Sequence, residues 1–194
     1  MSSVEFEPST VGMHRERMSY AEWQVLPEEL RAEWANGWAV WPMSPPTYDH
    51  GRGQAKLAVL FDVAFPDLFV ATESFLQLPG SRVRLPDVAL VDHEPEGGTI
   101  VDPPVLVAEV ISPSTQGHDY VTKSHEYATA GIGQYWILDP RQRRLEVFEL
   151  VDGEWVSLLM LDDDTPGGTV TVGEYGSVEV DVRALMRRKT DVAE

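Results

Sequence analysis

The 194-residue chain contains no cysteine. Disulfides, thiolate metal centres and cysteine nucleophiles are therefore excluded, and the absence is compatible with the cytosol. Cations are scarce: Lys and Arg total 15 against 32 Asp and Glu, for a formal charge of −17. A chain this acidic lacks the broad basic footprint by which most proteins hold a nucleic-acid backbone. No apolar run approaches the ~18 residues of a membrane span. The opening MSSVEFEPST lacks the basic-then-apolar order of a secretory signal. The expectation is a soluble, cytoplasmic protein with no membrane partner. Glycine-rich phosphate loops and dinucleotide fingerprints are missing. Ser112-Pro113-Ser114-Thr115 lacks the glycines of a nucleophile elbow. His118 and His125 are seven apart, not the four of a helical zinc pair, and His14 and His93 stand apart from them.

What is present suits one well-packed domain. Hydrophobic residues make up 43% of the chain and charged residues 24%, both ordinary for a globular protein. Residues 1–18 read as a flexible leader and 19–190 as a single domain. Ser19-x-x-Glu22 is a capping box opening a short helix. Pro27 starts a second short helix running to Trp34, and Asn36-Gly37 is a turn. Trp38 to Met43 reads as a strand. Leu57, Leu60, Phe61, Ala64 and Phe65 mark a helix over 50–65. Leu68–Leu78 and Arg82–Val91 each read as one strand. The apolar run Pro104–Ile111 reads as a central strand buried on both faces. A helix over 118–130 follows, stopped by Gly131, then an aromatic strand, Gln134–Leu138. Asp152-Gly153 joins the strands Arg143–Val151 and Trp155–Leu161. Ser177–Val182 is a last strand before a basic tail helix. The class is α+β, a mixed sheet with helices packed on it and a C-terminal β-hairpin.

Two carboxylates interrupt this apolar pattern. Glu109 lies within Val105-Leu106-Val107-Ala108-Glu109-Val110-Ile111, where an unpaired charge costs several kcal/mol. It needs a cation or a buried ion pair. Asp87 follows Pro86 in a strand whose alternation places it among apolar neighbours. By itself it is an ordinary turn residue. Beside Glu109 it supplies the second hard oxygen donor that suits Mg²⁺, or Mn²⁺ as a substitute. Lys123 shares a helix face with Asp119 and Tyr127 at i, i+4 spacing. From there it could orient a water or steady developing phosphorane charge, or make a plain surface pair with Asp119. Glu33 could complete a metal shell or be solvated. His50 could contact a phosphate or act as a general base, or be an ordinary loop histidine. Arg82, Arg84, Lys123, Arg141, Arg143 and Arg144 lie close in sequence to these acids and could form a local basic groove.

These residues resemble the Uma2 family, part of the PD-(D/E)XK nuclease superfamily. The likeness covers roughly residues 19–150. It is strongest in Leu85-Pro86-Asp87-Val88-Ala89-Leu90-Val91 and Glu109-Val110-Ile111-Ser112-Pro113-Ser114-Thr115. It continues through Asp119, Lys123, Tyr127, Gly131 and Tyr135-Trp136-Ile137-Leu138-Asp139-Pro140. The resemblance implies a restriction-endonuclease-like core with Asp87 and Glu109 as metal ligands. The superfamily's lysine usually follows the second acid by two residues. Ile111 stands there, so Lys123 looks like a migrated equivalent. Glu33 looks like the superfamily's helical N-terminal glutamate, and His50 matches a family histidine. There are departures. Where the family often shows Glu-Leu-Ile-Asp-Gly-Glu, this chain reads Glu33-Trp34-Ala35-Asn36-Gly37-Trp38, so Trp38 replaces the second acid. A glutamate common before Tyr-Trp is Gln134.

The expectation is a Mg²⁺-dependent endonuclease acting on DNA, with Glu33, His50, Asp87, Glu109 and Lys123 as its catalytic set. A homodimer would suit double-strand cleavage. Two rivals follow from the acidity and the displaced lysine. One is a catalytically silent nuclease fold serving binding or assembly. The other is a metal-dependent hydrolase of a small phosphorylated substrate.

Overall fold

A computed structural model describes residues 12–111 and 123–186. The elements, in chain order, are strand β1 (Met13–Arg17), helix α1 (Tyr20–Trp23), β2 (Glu33–Ala35), β3 (Trp38–Pro42) and α2 (Tyr48–Ala64). Then come β4 (Phe69–Thr72), β5 (Leu76–Leu78), β6 (Arg82–Arg84), β7 (Val88–Val91), β8 (Leu106–Val110) and α3 (Ser124–Ala130). The chain continues as β9 (Gln134–Asp139), β10 (Arg144–Val151), β11 (Glu154–Leu161), β12 (Gly167–Val172), β13 (Gly176–Asp181) and α4 (Val182–Met186). The class is α+β with mixed sheets, as the patterning implied.

The central sheet has six strands in the order β11-β10-β9-β8-β7-β4. Only β8 and β9 run parallel; the other pairs are antiparallel. A five-stranded sheet, β1-β3-β2-β6-β5, is separate from it. Strand alternation sends one side chain of each pair to each face. Val88, Leu90, Leu106, Ala108 and Val110 pack under Leu57, Phe61 and Phe65 from α2 and the β12–β13 hairpin. Ala89, Val91, Val107, Ile111 and Tyr135 face the opposite way, against Tyr127 of α3 and Leu76 and Leu78 of the five-stranded sheet. Glu109 has the parity of this second face.

Local signals account for many elements. Ser19 and Glu22 make a reciprocal capping box. Asn36 and Gly37, both at positive φ, turn β2 into β3. Thr47 caps α2 through the His50 amide, and Gly131 closes α3 in the left-handed region. α2 lies close on the sheet because Gly53 faces it. A Cβ there would stand 2.9 Å from Leu138 Cδ2 and 3.1 Å from Val110 Cγ1.

Several expectations are corrected. Glu33 and Trp34 belong to strand β2, not to a helix from Pro27. Only a 3-10 turn, Glu28–Leu30, forms there, and Arg31 leaves it in a left-handed conformation. Arg82–Val91 is two strands in two sheets. Pro86 has no N–H to continue a ladder, and the chain crosses between sheets at Leu85-Pro86-Asp87. Leu68–Leu78 splits the same way, with β4 in one sheet and β5 in the other. The last residues of the expected leader, Met13–Arg17, pair with β3. Strand β12, unforeseen, pairs with β13.

Candidate active site

Asp87 in the crossing between sheets, Glu109 of β8 and Glu33 of β2 are all buried in one region. β7 and β8 pair as Val88 with Ala108. Extending that register by one step sets Asp87 across from Glu109. Asp87 Oδ2 accepts from the Val110 amide at 2.7 Å. Its Oδ1 lies 3.2 Å from His50 Nε2, and Gln54 Nε2 donates to its backbone carbonyl at 3.0 Å. His50 and Gln54 are four apart on α2, so the helix presents both toward one residue.

Glu109 is 2% exposed. Its Oε1 accepts from Tyr127 Oη at 2.7 Å and from Lys123 Nζ at 3.0 Å. The i, i+4 spacing of Lys123 and Tyr127 therefore converges on one oxygen. Lys123 is buried and also lies 3.0 Å from Glu33 Oε1. Lys123 is therefore not a surface residue; Asp119, its other expected partner, lies outside the described residues. Glu33 in turn accepts from the Leu85 amide and from Arg84, each at 3.1 Å. Arg84, 2% exposed, donates to both oxygens of Glu126, at 2.5 and 2.8 Å. One chain of charge thus links Glu126, Arg84, Glu33, Lys123 and Glu109, with Asp87 and His50 beside its end.

Burial alone would lower the His50 pKa, but the hydrogen bond and charge of Asp87 outweigh it and raise it. The Val110 carbonyl beside the ring adds to this, although His50 Nδ1 makes no hydrogen bond of normal geometry. The Arg84 guanidinium is raised too, its partners Glu126 and Glu33 overcoming desolvation. The Tyr127 hydroxyl is pushed well up by burial and by Glu109, so it keeps its proton at neutral pH and donates it in the hydrogen bond to Glu109.

All five residues singled out in the sequence, Glu33, His50, Asp87, Glu109 and Lys123, are buried and belong to this cluster. Arg84, Glu126, Tyr127 and Gln54 were missed as members. Tyr127 carried a signal in its spacing from Lys123; Arg84 and Glu126 are 42 residues apart and carried none. Five of the six cations expected to line a basic groove are engaged by carboxylates, Arg82 among them through Glu126 at 3.3 Å. Arg84 and Lys123 are consumed by buried carboxylates, Arg143 pairs with Asp163 and Arg144 with Glu146. Gln134, a departure from the family pattern, donates its amide to the Thr171 carbonyl at 2.7 Å, which a glutamate could not do.

Residues 18–173 match the Uma2 family, described as "Putative restriction endonuclease". The chain belongs to the Uma2 family. No curated protein matches it. A solved structure titled as a putative nuclease from Anabaena variabilis superposes with a TM-score of 0.69 at 18% identity. The match covers 86% of this chain and 96% of that one; it is a likeness of fold. Among the described helices none is long and apolar enough to cross a membrane.

Proposed function

We propose that this Uma2 protein is a Mg²⁺-dependent endonuclease that hydrolyses DNA phosphodiester bonds at the Asp87–Glu109 site. The observation that carries the reading is the register of β7 and β8, which extended by one step sets Asp87 across from Glu109, with the Lys123 ammonium 3.0 Å from Glu109. Two carboxylates from neighbouring strands beside a buried lysine supply hard oxygen donors and a positive charge at one place.

The donor set suits Mg²⁺. Among the described residues no group of three or more His, Asp or Glu side chains gathers as a metal site. Mg²⁺ is commonly held by one or two carboxylates with waters and substrate phosphates. Asp87 and Glu109 would hold it, and when bound it lowers the pKa of water and offsets phosphate charge. The remaining groups position and donate. The Val110 amide and His50 hold the Asp87 carboxylate at its two oxygens. Tyr127 and Lys123 hold Glu109 Oε1. Lys123 Nζ, fixed between Glu33 and Glu109, supplies positive charge beside the site for the developing phosphorane. Glu33 sets the position of Lys123.

Alanine at Asp87 or at Glu109 is expected to abolish Mg²⁺-dependent cleavage of plasmid DNA while circular dichroism shows an intact fold. Full activity in both variants would falsify the assignment. Calorimetry with Mn²⁺ is the companion measurement, with binding lost in Asp87→Asn. A second reading, a catalytically silent module, is favoured by Glu109 already being matched by Lys123 and Tyr127. It predicts no specific Mn²⁺ site at all.

A further inference from the structure

Most cations among the described residues are engaged by carboxylates. Arg31 pairs with Glu73, Arg143 with Asp163, and Arg84 and Lys123 lie in the buried network. Arg15 and Arg17 on β1 have no carboxylate partner among the described residues, as is also true of Arg52, Lys56 and Arg141; what sets the β1 pair apart is that they lie two residues apart on one strand, with Arg15 over the Trp38 ring. β1 is an edge strand of the five-stranded sheet. The ladder pairs Glu33 with Val40, and Val40 with Arg15. One row across β2, β3 and β1 therefore runs from the buried Glu33 to Arg15. At about 4.8 Å per strand, the two backbones are about 10 Å apart. The next row pairs Ala35 with Trp38, and Trp38 with Arg17. Opposed residues and residues two apart share a face, so Arg15, Arg17 and Trp38 lie on the face that carries Glu33.

The Arg15 guanidinium carbon sits 4.0 Å from the centroid of the Trp38 ring. Stacking uses the guanidinium's flat face and leaves its N–H fork pointing outward in the plane, the geometry that receives a phosphate. Trp38 is also the place where the family likeness leads one to expect a glutamate. A carboxylate there would stand directly across from Arg17 and diagonal to Arg15, and would cancel their charge.

We propose that Arg15, Arg17 and Trp38 form a phosphate-binding strip that guides a nucleic-acid strand toward the Asp87–Glu109 site. The proposal rests on reading that site as a phosphodiesterase centre. It explains how a chain of charge −17 can take a polyanion: the local field counts, not the net charge.

The test is fluorescence anisotropy of a labelled oligonucleotide duplex with the full chain in EDTA, across a salt series, beside a Mg²⁺ cleavage assay. Reversing both charges, Arg15→Glu with Arg17→Glu, is expected to weaken binding at least about ten-fold and to reduce the salt slope by about two. Trp38→Glu is expected to weaken it comparably, and Trp38→Phe to hold within about two-fold. If the double variant does not fold, Arg17→Glu alone, at an exposed site, is expected to reduce the slope by about one. Unchanged affinity and slope in folded variants, with wild-type cleavage intact, would overturn the strip and leave the phosphodiesterase reading standing. Polyglutamate of matched charge competing as well as DNA would also overturn it, as a surface for any anion. A wild-type chain that neither binds nor cuts DNA would overturn both.

Discussion

Arg84 is the residue on which the buried network turns. Its guanidinium is almost without solvent and is shared by Glu126 and Glu33. Glu126→Ala leaves a buried guanidinium with half its partners gone, and chemical denaturation is expected to show a loss of about 3–5 kcal/mol. Arg84→Met combined with Glu126→Leu is expected to recover part of that loss, because the two charges leave together while Glu33, though it loses Arg84, keeps Lys123 at 3.0 Å. Tyr127→Phe removes one hydrogen bond to a carboxylate and is expected to cost about 1.5–3 kcal/mol by the same measurement. It differs from Glu126→Ala in leaving the Arg84–Glu126 pair untouched.

At the scale of elements, α2 and the loop 92–103 each carry a testable consequence. α2 can place His50 and Gln54 over Asp87 only because Gly53 lets it approach Leu138 and Val110. Gly53→Leu is expected to destabilise the fold by about 1–3 kcal/mol through overpacking, read as a lower denaturation midpoint. The loop 92–103 is clasped at its ends by His93, whose Nδ1 lies 2.6 Å from Asp92 and Nε2 3.3 Å from Asp102. The Asp92 hydrogen bond, with both carboxylate charges, raises the His93 pKa above 6.5. A raised pKa makes the clasp fully present below the ordinary value and lost as pH rises through the folded one. Hydrogen exchange at Glu94–Val101 is expected to quicken, beyond its intrinsic rate, as pH rises through that range. In His93→Gln it is expected to show no such step.

For the whole molecule the dominant fact is the surplus of negative charge. Self-repulsion at −17 weakens the compact state, and salt screens it. Without divalent ions, thermal unfolding is expected to shift upward as NaCl rises from low to physiological strength. About 1 kcal/mol of relieved repulsion would raise Tm by about 2–4 °C. A Tm that falls instead would mean that the ion pairs, Arg31–Glu73 and Arg143–Asp163 among them, outweigh the general repulsion. Nucleic-acid binding should respond to the same salt in the opposite sense.

Local chemistry was enough to read the capping box at Ser19 and Glu22, the Asn36-Gly37 and Asp152-Gly153 turns, α2 and the apolar strand around Glu109. Each depends on residues a few positions apart, where backbone geometry and side-chain period decide the conformation. Glu109 and Asp87 were legible because a carboxylate within an apolar run is anomalous on its face. The strand identity of Glu33 was not legible, because β2 exists only through its pairing with β3 and β6. Nor was the setting of Lys123, which Glu33 reaches across 90 residues of chain. Nor was the split of Arg82–Val91, where Pro86 passes one apolar run between two sheets. The sequence by itself determined the local conformations and which acids had to find a cation. Only the tertiary structure decided which cations they found, since ion pairing in a core follows proximity in space and leaves no period in the chain.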